Sequence, residues 1–411
     1  MRNLSALYFL LAIFTAGSLN SCQPAVKTMK VGMWRGSLVV RENEIPFLFE
    51  VKGTTPENTS VFLINGKDRF ELKNISYRND SVTIAIDLYD VVLTGKLTPN
   101  TIEGQFIKTA GNKTTIKIPF KAEFGDQPRF SANNGSTPVS LAGTWDVNLI
   151  SSGNINKTVG NFDQKGAKVT GSILETSGDY RFFEGVVQGK RFMLSAFGGS
   201  SPYLVKGDFL NDTTFSGEFI TLRQTLKLEG KFNPKASMPD PYTESHLKEG
   251  YSSIAFSFPN LDGKQISLTD PDYQGKVVIV TILGSWCPNC LDENAFLSSW
   301  YKSNHQRGVE IIGLGFERKD DFESAKKSLS SLKSRLGINY EILFAGKSGT
   351  DNASKALPAL NGISAFPTTI FIDKKGKVRK VHTGFNGPAT GKFYEDFKAE
   401  FNALIDGLVA E

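Results

Sequence analysis

At 411 residues, 40% hydrophobic and 22% charged, the chain has an ordinary globular composition with room for two or three domains, which excludes a disordered or fibrous protein. A net charge of +5 is small for this length and no dense Lys/Arg tract stands out, so no nucleic-acid partner is expected. Three cysteines and three scattered histidines supply neither a structural disulfide framework nor the ligand spacing of a zinc site, and no metal or cofactor is expected.

Residues 1–21 carry one basic side chain, Arg2, followed by an apolar run over 4–14. That run suits the core of an export signal and is shorter than the ~20 residues a membrane span needs. Leu19-Asn20-Ser21-Cys22 resembles a bacterial lipobox, with small Ser21 before the cysteine. The resemblance implies a lipoprotein signal peptide over 1–21, lipidation of Cys22, and a tether over 22–30 holding an exported protein to the membrane. Gln23-Pro24-Ala25-Val26-Lys27 brings no acidic run after that cysteine, and the protein is expected to face the periplasm.

From Val31 to Phe232 the chain reads as antiparallel β. Val82, Ile84, Ile86 and Leu88 alternate with Ser81, Thr83, Ala85 and Asp87, the period of strands with one buried and one wet face. Turn signals such as Asn65-Gly66 and Asn79-Asp80 punctuate the run. The region also repeats itself. Gly32-Met33-Trp34 returns as Gly143-Thr144-Trp145, Gly95 as Gly207, and Ile102-Glu103-Gly104-Gln105-Phe106-Ile107 as Phe215-Ser216-Gly217-Glu218-Phe219-Ile220, in order and at nearly the same offset. Two related β-meander, barrel-like units are expected, 31–124 and 141–233, joined by a Gly/Ser/Pro-rich linker over 125–140. The Gly-x-Trp on each first strand is loosely similar to the lipocalin entrance motif, which implies barrels with apolar interiors. A core tryptophan closing one end of a barrel is the plainer explanation.

Pro234, Pro239 and Pro241 among polar residues predict a second linker over 234–250. An α/β domain is expected over 251–411. The β-branched run Val277-Val278-Ile279-Val280-Thr281-Ile282-Leu283 shows no polar alternation, as in a strand covered on both faces. It leads through Gly284-Ser285-Trp286 into Cys287-Pro288-Asn289-Cys290, which opens a helix with Pro288 at its first position. Unpaired N–H groups and the positive end of the helix dipole favour a thiolate at Cys287, the requirement for a nucleophile in thiol–disulfide exchange. Cys290 lies one turn on, placed to act as the resolving thiol. Phe322, Ala325, Leu329, Leu332 and Leu336 predict a one-faced helix, as do Phe393, Phe397, Phe401, Leu404 and Leu408.

Trp286-Cys287-Pro288-Asn289-Cys290, Phe366-Pro367-Thr368-Thr369-Ile370-Phe371-Ile372-Asp373 and Thr383-Gly384-Phe385-Asn386-Gly387-Pro388 resemble the active site, cis-proline loop and last turn of the thioredoxin superfamily, closest to its exported TlpA/ResA-like branch. The likeness covers about the last 160 residues, one domain by the usual size prior. It implies a redox-active disulfide between Cys287 and Cys290, a cis Pro367 beside it that receives substrate as an added strand, and a Trp286 that covers the dithiol. Phe366 departs from the smaller residues usual before this proline. Thioredoxins carry a buried Asp where this chain has Thr281; the exported branch carries an acid where this chain has Glu293, which is then the proton acceptor for Cys290.

The expected function is an exported thiol–disulfide oxidoreductase reducing protein disulfides, with electrons from a membrane donor and apocytochrome c among the clients. A thiol oxidase of the same fold is the alternative within this chemistry. A peroxiredoxin is disfavoured, since no Pro-x-x-x-Thr-x-x-Cys pattern surrounds Cys287. From a different class comes a β half that binds a lipid or glycan, with the redox domain as accessory; a spacer or docking platform is its simpler role.

Overall fold

The computed structural model describes residues 28–109, 114–131 and 139–411. The signal segment and Cys22 lie outside the described residues, as do 110–113 and 132–138.

The first unit is a nine-stranded antiparallel sheet running from Gly32 to Phe124. Its first strand, Gly32–Val40, sits mid-sheet between Asn43–Lys52 and Thr115–Phe124. The alternation read in the sequence is the burial pattern: Val82, Ile84 and Ile86 face inward and Ser81, Thr83 and Ala85 outward. The interior is filled by Trp34, Phe47, Phe49, Phe106 and Phe120.

The second unit, Gly143 to Phe232, is again nine-stranded. Here Asn154–Lys165 pairs with Gly143–Ser151 on one side and Lys168–Glu175 on the other, so the sheet closes on itself as a barrel. The same details recur in both units. Trp34 Nε1 donates to Lys30 O and Trp145 Nε1 to Leu141 O, each at 2.9 Å and each four residues back. Gly95 faces Gly104 across one ladder and Gly207 faces Gly217 across the other. A Cβ on Gly95 would lie 2.6 Å from Glu103 O, and one on Gly217 2.1 Å from Lys206 O, so the strands approach more closely there than a side chain allows.

The described residues of both connecting segments are fastened down. Arg129, in the first, is buried between the units and donates to Ile64 O at 2.6 Å and Ser195 O at 3.0 Å. In the 234–250 stretch, Ser245 Oγ donates to Gly362 O, Lys248 N to Ala359 O, and Pro241 O accepts from Thr383 N. Its prolines therefore mark a strap along the last domain, an outcome no composition signal carries.

That last domain has a five-stranded sheet in the order Glu341–Lys347, Val309–Glu317, Val277–Leu283, Thr368–Ile372, Val378–Thr383. The first three strands are parallel and the last two antiparallel. Four helices accompany it: α1 (Pro288–Asn304), α2 (Phe322–Leu336), α3 (Thr350–Ala356) and α4 (Lys392–Ala410). Every residue of the Val277–Leu283 strand is buried, with Val277, Ile279 and Leu283 in the core shared with α1, α2 and α4, and Val278, Val280 and Ile282 in the opposite core with α3. The first of these cores is continuous with the interior of the first β unit.

Candidate active site

The chain leaves the central strand at Leu283, and Cys287 becomes the N-cap of α1, with φ −96° and ψ 117° and Pro288 at the first helical position. Cys290 N donates to Cys287 Sγ at 3.2 Å, so one of the otherwise unpaired N–H groups of the helix points at that sulfur. On its other side Cys287 Sγ donates to Phe366 O at 3.6 Å. The Phe366–Pro367 peptide bond is cis. Both thiols are free. Cys290 is completely buried and Cys287 is 6% exposed. Burial and the neighbouring Cys287 push the Cys290 thiol well above its ordinary range.

Glu293, 1% exposed, lies three residues beyond Cys290 on the same helix. Thr281 Oγ1 donates to its Oε2 and Thr369 Oγ1 to its Oε1, each at 2.6 Å. Burial pushes the carboxyl up to about 7, against the two hydroxyl bonds that favour its charged form, and its charge in turn raises Cys290. Trp286 Nε1 donates to Phe316 O at 2.8 Å, and its ring leans on Phe366 with centroids 5.6 Å apart. The residues singled out in the sequence around the Cys-x-x-Cys and the cis proline thus come together on one side of the sheet.

Two further acids were not foreseen. Glu317, at the end of an apolar strand, accepts from Ser285 N at 2.8 Å and Ser285 Oγ at 2.7 Å, fixing the turn before Trp286; burial pushes it up to about 7. A buried acid ending a strand of hydrophobic residues was the available signal. Asp292, on α1, is also pushed up to about 7 by burial, and it pairs with Arg181 at 3.1 Å.

Arg181 belongs to the second β unit, and with it the largest departure from the sequence picture begins. The 176–181 turn of that unit lies on the dithiol. Asn289, its amide oriented by its partners, donates to Asp179 O at 3.1 Å and accepts from Asp179 N at 3.3 Å. Asp179 Oδ2 accepts from Gly387 N at 2.7 Å, and Gly384 abuts Thr176 so closely that a Cβ there would lie 2.3 Å from its carbonyl oxygen. Arg181 also pairs with Asp68 of the first unit at 3.3 Å, and Asp90 of that unit pairs with Arg318 beside Trp286. Between the three units remains a cavity of about 140 Å³, lined by Asn65, Tyr180, Arg181, Tyr203, Cys287 and Asn289 among others. Among the described residues no group of three or more His, Cys, Asp or Glu side chains is placed to hold a metal ion.

A model of the AhpC/TSA family matches residues 250–381. The chain is similar to the thiol-disulfide oxidoreductase ResA of Geobacillus thermodenitrificans, 30% identical over 135 residues, 33% of this chain and 69% of that protein. It is also similar to ResA of Bacillus subtilis, 29% identical over 138 residues, 34% of this chain and 69% of the relative. Among solved structures, a thiol:disulfide interchange protein of Chlorobium tepidum matches 39% of this chain and 98% of its own, at 22% identity and a TM-score of 0.30.

Proposed function

The chain belongs to the ResA-like thiol-disulfide oxidoreductases through its C-terminal domain, and from that premise we propose that Cys287 and Cys290 are its redox couple and that it runs as a reductase. The observation that carries this reading is the unlike placement of the two sulfurs: Cys287 caps the helix and lines the cavity, while Cys290 is sealed beneath it.

Cys287 thiolate attacks one sulfur of an external disulfide, forming a mixed disulfide and expelling one thiolate. Cys290 gives its proton to Glu293 and attacks Cys287 Sγ, forming the Cys287–Cys290 bond and expelling the second thiolate. Two electrons pass from the chain to the substrate. A carboxyl near 7 is matched to this task, because it is partly ionised at neutral pH and still basic enough to take a proton. The reductase direction is supported by the raised Cys290 thiol, a poor leaving group that makes the internal disulfide hard to reopen. Pro367 holds the loop whose carbonyl, on Phe366, orients Cys287, and Trp286 walls the site.

The reading extends to location. Export with 1–21 removed, a lipid anchor at Cys22, a periplasmic face and a membrane electron donor rest on the sequence. The two β units then act as the platform that holds the dithiol off the membrane. The test is a Cys290→Ser variant: it traps a mixed disulfide on Cys287, whereas a substrate-free Cys287 after exposure to disulfide counts against the assignment.

A further inference from the structure

The redox face is partly covered by the second β unit. A protein client of such a dithiol lays an extended segment against the cis-proline loop, using backbone groups as an added strand. Around this dithiol the backbone of the second β unit is already there. Asn289 spends its amide on both backbone groups of Asp179, Gly387 N is taken by the Asp179 carboxylate, and Gly384 is in contact with Thr176. On the opposite flank stand Trp286, Phe366 and the Arg318–Asp90 pair, which narrow the approach.

The docking is held well beyond the turn. Asn161 Nδ2 donates to Thr390 O at 2.9 Å, and the 234–250 strap runs bonded along the redox domain. Ala236 of that strap packs with Val159 and Leu174 of the barrel and Phe393 of α4. What reaches Cys287 is the cavity of about 140 Å³. At about 30 Å³ per water in the liquid, that is room for about five waters, the scale of a small organic molecule. Its walls mix aromatic side chains (Tyr180, Tyr203) with polar ones, among them Asn65, Arg181 and Asn289.

Resting on the redox reading above, we propose that the second β unit is a wall of the active site and that its 176–181 turn sets the substrate class: a low-molecular-weight disulfide, taken into the cavity against Cys287, in preference to a disulfide on a protein. The exchange balances with the chain as sole reductant. Reduced Cys287 opens the small disulfide and releases one thiol; Cys290 closes on Cys287 and releases the other; one disulfide becomes two thiols as the dithiol becomes a disulfide.

The experiment is a single turnover of the full, pre-reduced chain with hydroxyethyl disulfide, with folded insulin and with an unfolded disulfide-bearing peptide, each rate normalised to that of free dithiothreitol. Thiol loss is read by acid quench, alkylation and mass. The expected result is that hydroxyethyl disulfide oxidises the pair about 100-fold faster than insulin or the peptide, the scale of losing one well-made docking interaction. Asp179→Ala, which removes the carboxylate that holds Gly387 N and so loosens the turn, speeds insulin by about tenfold or more. Asn161→Ala, outside the cavity and on the barrel surface, does the same in a milder form while the hydroxyethyl disulfide rate holds.

Equal normalised rates for all three substrates, or a peptide as fast as hydroxyethyl disulfide, overturn the proposal. So do folded variants in which insulin stays as slow as before. Inertness toward every substrate, with a Cys287–Cys290 pair that still equilibrates in a dithiothreitol buffer, overturns the substrate assignment and leaves the redox couple standing; a pair that does not equilibrate sinks the redox reading itself.

Discussion

Thr281 Oγ1 donates to Glu293 Oε2 at 2.6 Å, so the strand position before the dithiol and the acid after it form one buried unit beneath Cys290. The second hydroxyl, from Thr369, ties that unit to the segment following the cis proline. Burial raises this carboxyl to about 7 against the two hydroxyl bonds, a value that suits the proton exchange with a thiol proposed for it.

Kinetics test that role first. The step in which Cys290 resolves a mixed disulfide accelerates as pH rises through about 7, because Glu293 accepts a proton only when ionised. Glu293→Gln slows that step by about 10²–10⁴-fold and removes the rise at 7, while attack by Cys287 on the substrate is unchanged. Stopped-flow resolution of a preformed mixed disulfide across pH 5–9 reads both effects. A variant that resolves at the original rate with the original profile removes Glu293 from the mechanism.

The same carboxyl has a thermodynamic signature. Its folded value is raised from 4.5 to about 7, so its contribution to stability is fully present below about pH 4.5 and is lost as pH rises through about 7. The difference corresponds to about 3 kcal/mol. Glu293→Gln carries no such loss and gains on the parent by up to about 3 kcal/mol between pH 4 and 8. Urea unfolding of the two proteins at both pH values measures it; Glu317 and Asp292, pushed up in the same way, leave a residual slope in both. Parallel stability curves for parent and variant contradict the assignment.

The paired glycines of the β units give a packing test. Gly217→Ala places a Cβ 2.1 Å from Lys206 O and 2.6 Å from Gly207 Cα, so the ladder must part, at a cost of about 1–3 kcal/mol. Gly407 is the control. It lies exposed in α4 with open space around its missing Cβ, and Gly407→Ala stabilises by about 0.5–1 kcal/mol. Thermal melts of the two variants should move in opposite directions, and a neutral Gly217→Ala refutes the close approach.

Much of this was legible in the chain because it is local. A run of seven β-branched and aliphatic residues fits a doubly covered strand, and Val277–Leu283 is buried throughout. Two cysteines across a first helical turn with Pro288 between them declare a helix start, and alternation over 81–86 declares one wet face. Asp179, Arg181 and Asp90 were not legible. They reach Asn289, Asp292 and Arg318 around the dithiol from remote positions through docking of whole units, and neither periodicity nor turn chemistry encodes which loop of a barrel meets which helix end. The strap over 234–250 escaped for the same reason: proline content predicts an extended chain, and only its tertiary partners show that it is bound.

The most direct measurement is a redox titration of the folded chain in graded dithiothreitol buffers, with alkylation and mass readout at Cys287 and Cys290. Both thiols should appear and disappear together in one two-electron step, at a potential nearer the about −270 mV of thioredoxin than the about −120 mV of DsbA. Thiols that stay unmodified in the folded, fully reduced protein, or that titrate independently of one another, would contradict the account.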